Sequence, residues 1–179
     1  MRNHKKQFVE ILADYFSTAK VAKPRMVEVG VYTGIVSAAV LRAFPKLHLY
    51  MVDPWEWFGD AGPYAMSFRM LDAIARTEFA AKRRTLMRQK SLEAARLFGK
   101  RELDVVYLDG DHTYKSVRAD IKAWWPRVRI GGLLCGHDYD GHPIPHLKGI
   151  RRAVDEFGEA SGRPVTVHGT TTIWSIRKE

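Results

Sequence analysis

Two stretches of the chain gather the residue types that chemistry needs. DVVYLDGDHTY and GGLLCGHDYDGHPIPH each begin as an apolar run and end in acids and imidazoles. Asp109, Asp111 and His112 close the first run; His137 and Asp138 close the second. Buried charges need partners, so such a cluster seldom collects at strand ends for packing alone. Two carboxylates from neighbouring strands can hold a divalent cation such as Mg²⁺, with substrate oxygens and water completing its shell. An ion there would lower the pKa of a bound hydroxyl. His112, three residues beyond Asp109, is placed to take that proton as general base. The competing reading makes His112 an N-cap or ion-pair residue that opens the next helix. A two-His, one-carboxylate iron site from Asp138, His142 and His146 is a further arrangement. Pro143 and Pro145 count against it, because they break the helix that would align these residues.

A second signal lies earlier, in VEVGVYTG, where an apolar strand runs into a turn with Gly30 and Gly34 and then into the helical pattern IVSAAVLRAF. Such a turn lets a ligand approach the backbone and meet free amides. Nicotinamide-binding turns follow G-x-G-x-x-G. Here the second glycine is missing and Glu28 stands two residues before Gly30. A carboxylate at that point would repel a pyrophosphate but help to hold an ammonium group, which favours S-adenosylmethionine over NAD. The next strand ends in LYMVDPW, placing Asp53 23 residues after Gly30, where a carboxylate can accept both ribose hydroxyls of an adenosine. In the alternative reading Glu28 and Asp53 only cap a turn and a strand end. With this cofactor, the oxygen activated by His112 would attack a sulfonium methyl in line, aided chiefly by positioning.

These residues must be carried by an alternation of buried strands and helices, the pattern of a mainly parallel sheet covered on both faces. The spacing predicts strands at Met26–Val29, Leu47–Val52, Thr85–Met87, Leu103–Leu108, Leu133–Gly136, Val165–Val167 and Thr172–Ile176. Helices are predicted at about His4–Lys20, Gly34–Ala43, Tyr64–Ala80, Ser91–Phe98, Tyr114–Trp125 and Leu147–Glu159, each bounded near Gly, Pro, Ser or Thr. The polar ends of the fourth and fifth strands should then meet at the carboxyl edge of the sheet, beside the cofactor crevice. The segment WEWFGDAGPY, with Trp55, Trp57, Phe58 and Tyr64, reads as a lid or substrate wall, or equally as a turn and amphipathic helix covering the sheet edge.

The 179 residues suit one α/β domain, 1–179, with an N-terminal helix about 4–20 and a core about 26–177. The hydrophobic fraction of 46% and charged fraction of 27% exclude a disordered chain and a disulfide scaffold. The lone Cys135 sits in the apolar run LLCG and reads as a small buried residue in a reducing compartment rather than a reactive thiol. No run approaches the roughly 18 apolar residues of a membrane span. Glu10 and Asp14 interrupt the start where a signal peptide would be continuous. A cytoplasmic protein is expected. The net charge of +9 is concentrated at the N-terminus and from Lys82 to Arg101. It favours anionic partners or serves as a solvated face. Nucleic acid is the less favoured partner, since no aromatics interleave the basic residues as in single-strand binders.

At these residues the sequence resembles the class I methyltransferases of the methyltransferase 24 family. Its relatives include macrolide sugar O-methyltransferases and proteins labelled cephalosporin hydroxylase. VEVGVYTG, MVDPW, QKSLEAARLF, VVYLDGDHTYKSVRADIKAWWPRVRIGGLLCGHDY, LKGIRRAVDEF and TIWSI carry the likeness, over about Met26 to Ile176. It implies a Rossmann-like fold with seven strands and an S-adenosylmethionine-dependent methyltransferase acting on a small hydroxylated acceptor. The implied cofactor set is Glu28, Gly30 and Asp53, with Gln89 or Ser91 near the adenine. Tyr32, Thr33 and Gly34 of the turn, Pro54 and Trp55 after the second strand, and Asp109 complete it. Asp109 and Asp138 are the implied metal ligands and His112 the base. His137 stands where metal-dependent relatives commonly carry a second acid. Imidazole is a poor Mg²⁺ ligand, so Mn²⁺, weak binding or no metal all stay open. Sugar specificity is not carried over, because the extra N-terminal regions of sugar-modifying relatives are missing. A nucleic-acid methyltransferase and a non-catalytic cofactor-binding module on the same fold remain the alternatives. A homo-oligomer is compatible with every one of them.

Overall fold

Period-two alternation along the strands sorts the apolar residues onto two faces of one sheet. In β1 (Arg25–Val29), Met26 packs into one apolar cluster while Val27 and Val29 pack into the other. In β4 (Leu103–Leu108), Val105 and Tyr107 face the first cluster, and Leu103, Val106 and Leu108 the second. Every residue of β4 is buried, as expected for a central parallel strand covered on both sides. The computed structural model describes residues 4–56, 62–140, 149–169 and 172–179, the side chains of 62–66 excepted.

The first face is covered by α1 (His4–Thr18), α2 (Ile35–Ala43) and α3 (Gly62–Arg76), through residues such as Phe8, Leu12, Val40, Leu41 and Ala73. The second is covered by α4 (Ser91–Ala95), α5 (Tyr114–Trp124) and α6 (Ile150–Ser161), through Ala94, Val117, Ile121, Trp124 and Val154. The remaining strands are β2 (His48–Val52), β3 (Arg84–Met87), β5 (Val128–Gly136), β6 (Thr166–His168) and β7 (Ile173–Arg177). The seven strands lie in the order β3-β2-β1-β4-β5-β7-β6. β1 to β5 pair in parallel, and β7 runs antiparallel to both β5 and β6. Strand order reverses between β1 and β4, the switch point at which ligands bind in open α/β sheets.

All seven predicted strands are present, and the differences lie at their ends. β5 begins five residues before the predicted Leu133. Gly131 and Gly132 lie inside the strand as an irregularity, with Gly131 at φ 76° and a register shift between Leu103 and Val105. α3 stops at Arg76, short of Ala80, and a 3₁₀ segment follows over Glu78–Arg83. The Thr77 hydroxyl donates to the Ala73 carbonyl (2.6 Å) and the chain tightens there. α4 ends at Ala95 instead of Phe98. Residues 57–61 and 141–148 lie outside the described residues, so Trp57, Phe58, His142 and His146 do too, as does the Tyr64 side chain. No described helix is long and apolar enough to cross a membrane.

Candidate active site

The chain leaves β1 at Gly30, with φ 89°. A Cβ there would lie 2.1 Å from the carbonyl oxygen of Asp109, so only glycine lets the exits of β1 and β4 pass this closely. Gly34 (φ 72°) opens α2, and a Cβ on it would press to 2.9 Å from Ala73 Cα of α3. Between them Tyr32 holds φ 54°, a left-handed conformation uncommon for a tyrosine. Asp53 supplies the compensation. Its Oδ2 accepts the amides of Val31 (3.0 Å) and Tyr32 (2.9 Å), and its Oδ1 accepts the amide of Trp55 (2.7 Å). The buried Trp55 indole donates to the Tyr32 carbonyl at 2.9 Å. Asp53 and Trp55 thus clamp the turn, with Pro54 between them and Thr33 buried within it. A carboxylate has about four acceptor directions, so three amides still leave one for a ligand hydroxyl.

Glu28 alternates with Val27 and Val29 and therefore points to the α2 side, where it is buried and accepts the Ser37 hydroxyl at 2.5 Å. Burial pushes its carboxyl up to about 8, against the Ser37 hydrogen bond and with help from the charges of Asp109 and Asp53. A carboxyl raised above its unfolded value stabilises the fold below the unfolded pKa, and that stability is lost as pH rises through the folded one. Glu28→Gln should therefore melt progressively higher than the parent protein between pH 5 and 8, by up to about a few kcal/mol. Thermal melts across this range check it; a difference independent of pH would refute a protonated Glu28.

Gln89 and Ser91, the two residues expected near an adenine, separate in the structure. Gln89 Oε1 is buried and accepts no hydrogen bond among the described residues, which leaves an acceptor for an incoming amino group. The Ser91 hydroxyl is committed to protein. It donates to Asp120 (2.5 Å) and accepts from the Trp124 indole (2.9 Å), joining α4 to α5. Burial raises the Asp120 carboxyl to about 6, against the hydrogen bond from Ser91.

The ends of β4 and β5 bring Asp109, His112, His137 and Asp138 together. His112 Nε2 lies 3.5 Å from Asp109 Oδ1 and its Nδ1 lies 3.5 Å from Asp138 Oδ2. Burial pulls the His112 imidazole down, but the hydrogen bond and charge of Asp109 and the charge of Asp138 outweigh it, so it lies above the ordinary value. His137 Nδ1 is 2.9 Å from Asp138 Oδ1. Donor atoms of Asp109, His137 and Asp138 all lie within 4.8 Å of one another, a spacing that could hold a metal ion. Asp138 takes a left-handed φ of 54°, the kind of backbone outlier that gathers at functional sites. Asp111, in the same sequence cluster, is diverted. It accepts the Thr113 amide (2.9 Å) and the Ser116 hydroxyl (2.7 Å) at the start of α5. Thr113 is the N-cap of that helix, its hydroxyl accepting from the Ser116 amide, so the capping role considered for His112 belongs to its neighbour.

Three participants are not evident in the sequence. Thr172 Oγ1 lies 3.2 Å from His137 Nε2 and accepts the Asp138 amide at 3.2 Å. Ser37 holds Glu28 from the inner face of α2. His4, at the start of α1, brings its ring centre to 4.8 Å from that of His137. Burial and the neighbouring His137 depress its pKa, while Asp109 and Asp138 act in the opposite sense. Only the antiparallel β7 could have pointed to Thr172, and nothing in the local pattern points to His4.

A seven-stranded sheet in this order, with β7 reversed beside β5 and a glycine turn leaving β1 at the switch point, is the Rossmann-like fold of the class I S-adenosylmethionine-dependent methyltransferases. The chain belongs to the methyltransferase 24 family, whose methyltransferase-domain model matches residues 27–139. Comparison with the curated proteins finds no match. Among solved structures, the chain is similar to CalS11, a TDP-rhamnose 3'-O-methyltransferase of calicheamicin biosynthesis. The TM-score is 0.67 and the identity 14%, over 98% of this chain and 80% of that one. It is similar to the O-methyltransferase TomG from Streptomyces achromogenes, in complex with SAM, at a TM-score of 0.63 and 16% identity, over 92% of this chain and 78% of that one. It is also similar to the SAH-bound methyltransferase PaMTH1 of Podospora anserina, at a TM-score of 0.65 and 16% identity, over 92% and 76% of the two chains. At these identities the likeness concerns the fold.

Proposed function

We propose that this methyltransferase acts on a hydroxyl group of a small acceptor, with a divalent ion held by Asp109, His137 and Asp138 and with His112 as the base. The observation that carries the reading is the placing of His112 between the carboxylates of Asp109 and Asp138, beside the turn at Gly30. The names of CalS11 and TomG, both O-methyltransferases, support oxygen as the acceptor atom.

When bound, S-adenosylmethionine supplies an electrophilic methyl group to the acceptor oxygen and leaves as the thioether. The chain's own residues suit that ligand. The remaining acceptor direction of Asp53 meets its ribose and Gln89 Oε1 the adenine amine, while Glu28, protonated in the free protein, ionises to meet its ammonium. Gly30, Tyr32, Thr33, Gly34, Pro54 and Trp55 shape the turn around it. His112 takes the acceptor's proton on Nε2, the nitrogen turned toward Asp109 and hence toward the cofactor turn. The two carboxylates then hold the imidazolium in place. Two carboxylates and an imidazole suit Mn²⁺ better than Mg²⁺, which prefers an oxygen shell. Such an ion would polarise the acceptor hydroxyl and lower its pKa. The buried Cys135 fits a reducing compartment such as the cytoplasm.

The test is calorimetric titration of the protein with S-adenosylhomocysteine, with and without Mg²⁺ or Mn²⁺. Micromolar binding is expected. Asp53→Ala should weaken it by about tenfold or more, because charged hydrogen bonds to three amides are lost with the carboxylate. No binding under any of these conditions would leave a non-catalytic module on the same fold.

A further inference from the structure

The inward stripe of α1 runs through Phe8, Leu12, Tyr15 and Phe16, all of them buried. One turn before Phe8, where the stripe reaches the carboxyl edge of the sheet, the residue is His4. Contacts on either side hold this end of the helix in place. Phe8 stacks on Tyr107 with ring centres 4.1 Å apart, the Tyr107 hydroxyl lies 3.5 Å from Asp109 Oδ2, and Gln7 Nε2 donates to the His168 carbonyl at 3.0 Å. His4 is half-buried, and among the described residues its ring makes no hydrogen bond. It faces the ion cluster instead. The His137 ring lies 4.8 Å away between centres at an interplanar angle of 44°, and the charges of Asp109 and Asp138 both act on His4.

The separation of the two rings fits shared ligation. At metal–nitrogen distances of about 2.1 Å, two imidazoles on neighbouring positions of one ion hold their ring centres roughly 4.6–5.3 Å apart. The His4–His137 value falls within that range. Donor atoms of Asp109, His137 and Asp138 lie within 4.8 Å of one another, and the nitrogens of His4 stand outside that spacing. The centre of the His4 ring is thus at ligand distance while its nitrogens are not, a difference that rotation about the side-chain torsions can remove. Two imidazoles with two carboxylates form a donor set for a first-row transition ion, in contrast to the oxygen shell that Mg²⁺ prefers.

We propose, resting on the ion-site reading above, that His4 is a fourth protein ligand of that site. Asp109, His137, Asp138 and His4 together then take a transition-metal ion such as Mn²⁺ in preference to Mg²⁺, and the ion fastens α1 to the ends of β4 and β5. The experiment titrates the intact protein, His4→Ala and Asp138→Asn with Mn²⁺ and with Mg²⁺. It also records electron spin-echo spectra of the Mn²⁺ complexes, in which nitrogen modulation deepens with each coordinated imidazole. A metal-free melting curve equal to the parent's shows that His4→Ala is folded; if it melts lower, His4→Gln repeats the test with a polar side chain that lacks the ring. Mn²⁺ should bind the intact protein about tenfold or more tightly than Mg²⁺, through two imidazole nitrogens. His4→Ala should weaken Mn²⁺ by about tenfold or more, the least that loss of even an outer partner costs such sites, and leave one nitrogen. A single nitrogen in the intact protein, two that persist in His4→Ala, Mn²⁺ affinity unmoved by that substitution, or Mg²⁺ bound as tightly as Mn²⁺ would each overturn the proposal and leave the three-ligand site standing. No Mn²⁺ bound to the intact protein, or binding unaffected in Asp138→Asn, would remove the ion-site reading itself and the proposal with it.

Discussion

Replacing His112 by alanine should slow turnover of an identified acceptor by about 10²- to 10⁴-fold, the range that a positioned general base contributes. Affinity for S-adenosylhomocysteine should stay within a few-fold of the parent. Among the described residues, His112 is the imidazole held between Asp109 and Asp138, at 3.5 Å from each, and both carboxylates favour its protonated form once it has accepted a proton. It contributes no cap to α5, because Thr113 and Asp111 do that. Its loss should therefore fall on kcat rather than on the melting curve. Single-turnover rates of the variant, alongside the binding titration, separate the two. A rate equal to the parent's would reduce His112 to an ion-pair residue.

Gly30→Ala should have the largest effect on stability. The added methyl would sit 2.1 Å from the Asp109 carbonyl oxygen and 2.4 Å from its carbon, both backbone atoms that cannot swing away. The residue would also have to hold φ 89°, which side-chain-bearing residues rarely adopt. A loss of about 3 kcal/mol or more is expected, which lowers the melting midpoint by roughly 6–12 °C in a domain of this size. Weakened cofactor binding should accompany it. Gly110→Ala is the control. Its methyl would meet Val29 Cγ1 at 3.8 Å and the Val29 carbonyl oxygen at 4.0 Å, both ordinary contacts, and it needs no positive φ. Equal melting of the two variants would show that β1 and β4 can part at no great cost.

Much of this was legible in the sequence because the relevant signals are local. Short apolar runs marked β1 and β4, and the switch from strand to glycine turn to helix marked the turn that leaves β1. The signals failed where the determining contact is distant. The start of β5 at Val128, five residues ahead of the apolar run, is set by its pairing with Leu103 of β4. Ser91 stands in a stretch tied by resemblance to the adenine, and the partners of its hydroxyl, Asp120 and Trp124, leave no mark in the local sequence. Asp111 belongs by spacing to the catalytic acids, but the start of α5 claims it through short-range hydrogen bonds.

The order of strands and helices, the apolar faces and the acids and imidazoles at the strand ends were set by composition and periodicity, which depend on nearest neighbours along the chain. Which of those polar residues meet was decided by the sheet order. Placing β4 between β1 and β5 brings Gly30 against Asp109 and sets His112 between Asp109 and Asp138. The reversal of β7 brings Thr172 to His137, and the packing of α1 over the sheet delivers His4 to the same place. Contacts between residues so far apart in sequence leave no pattern in any local window, because they exist only after the core has closed around them.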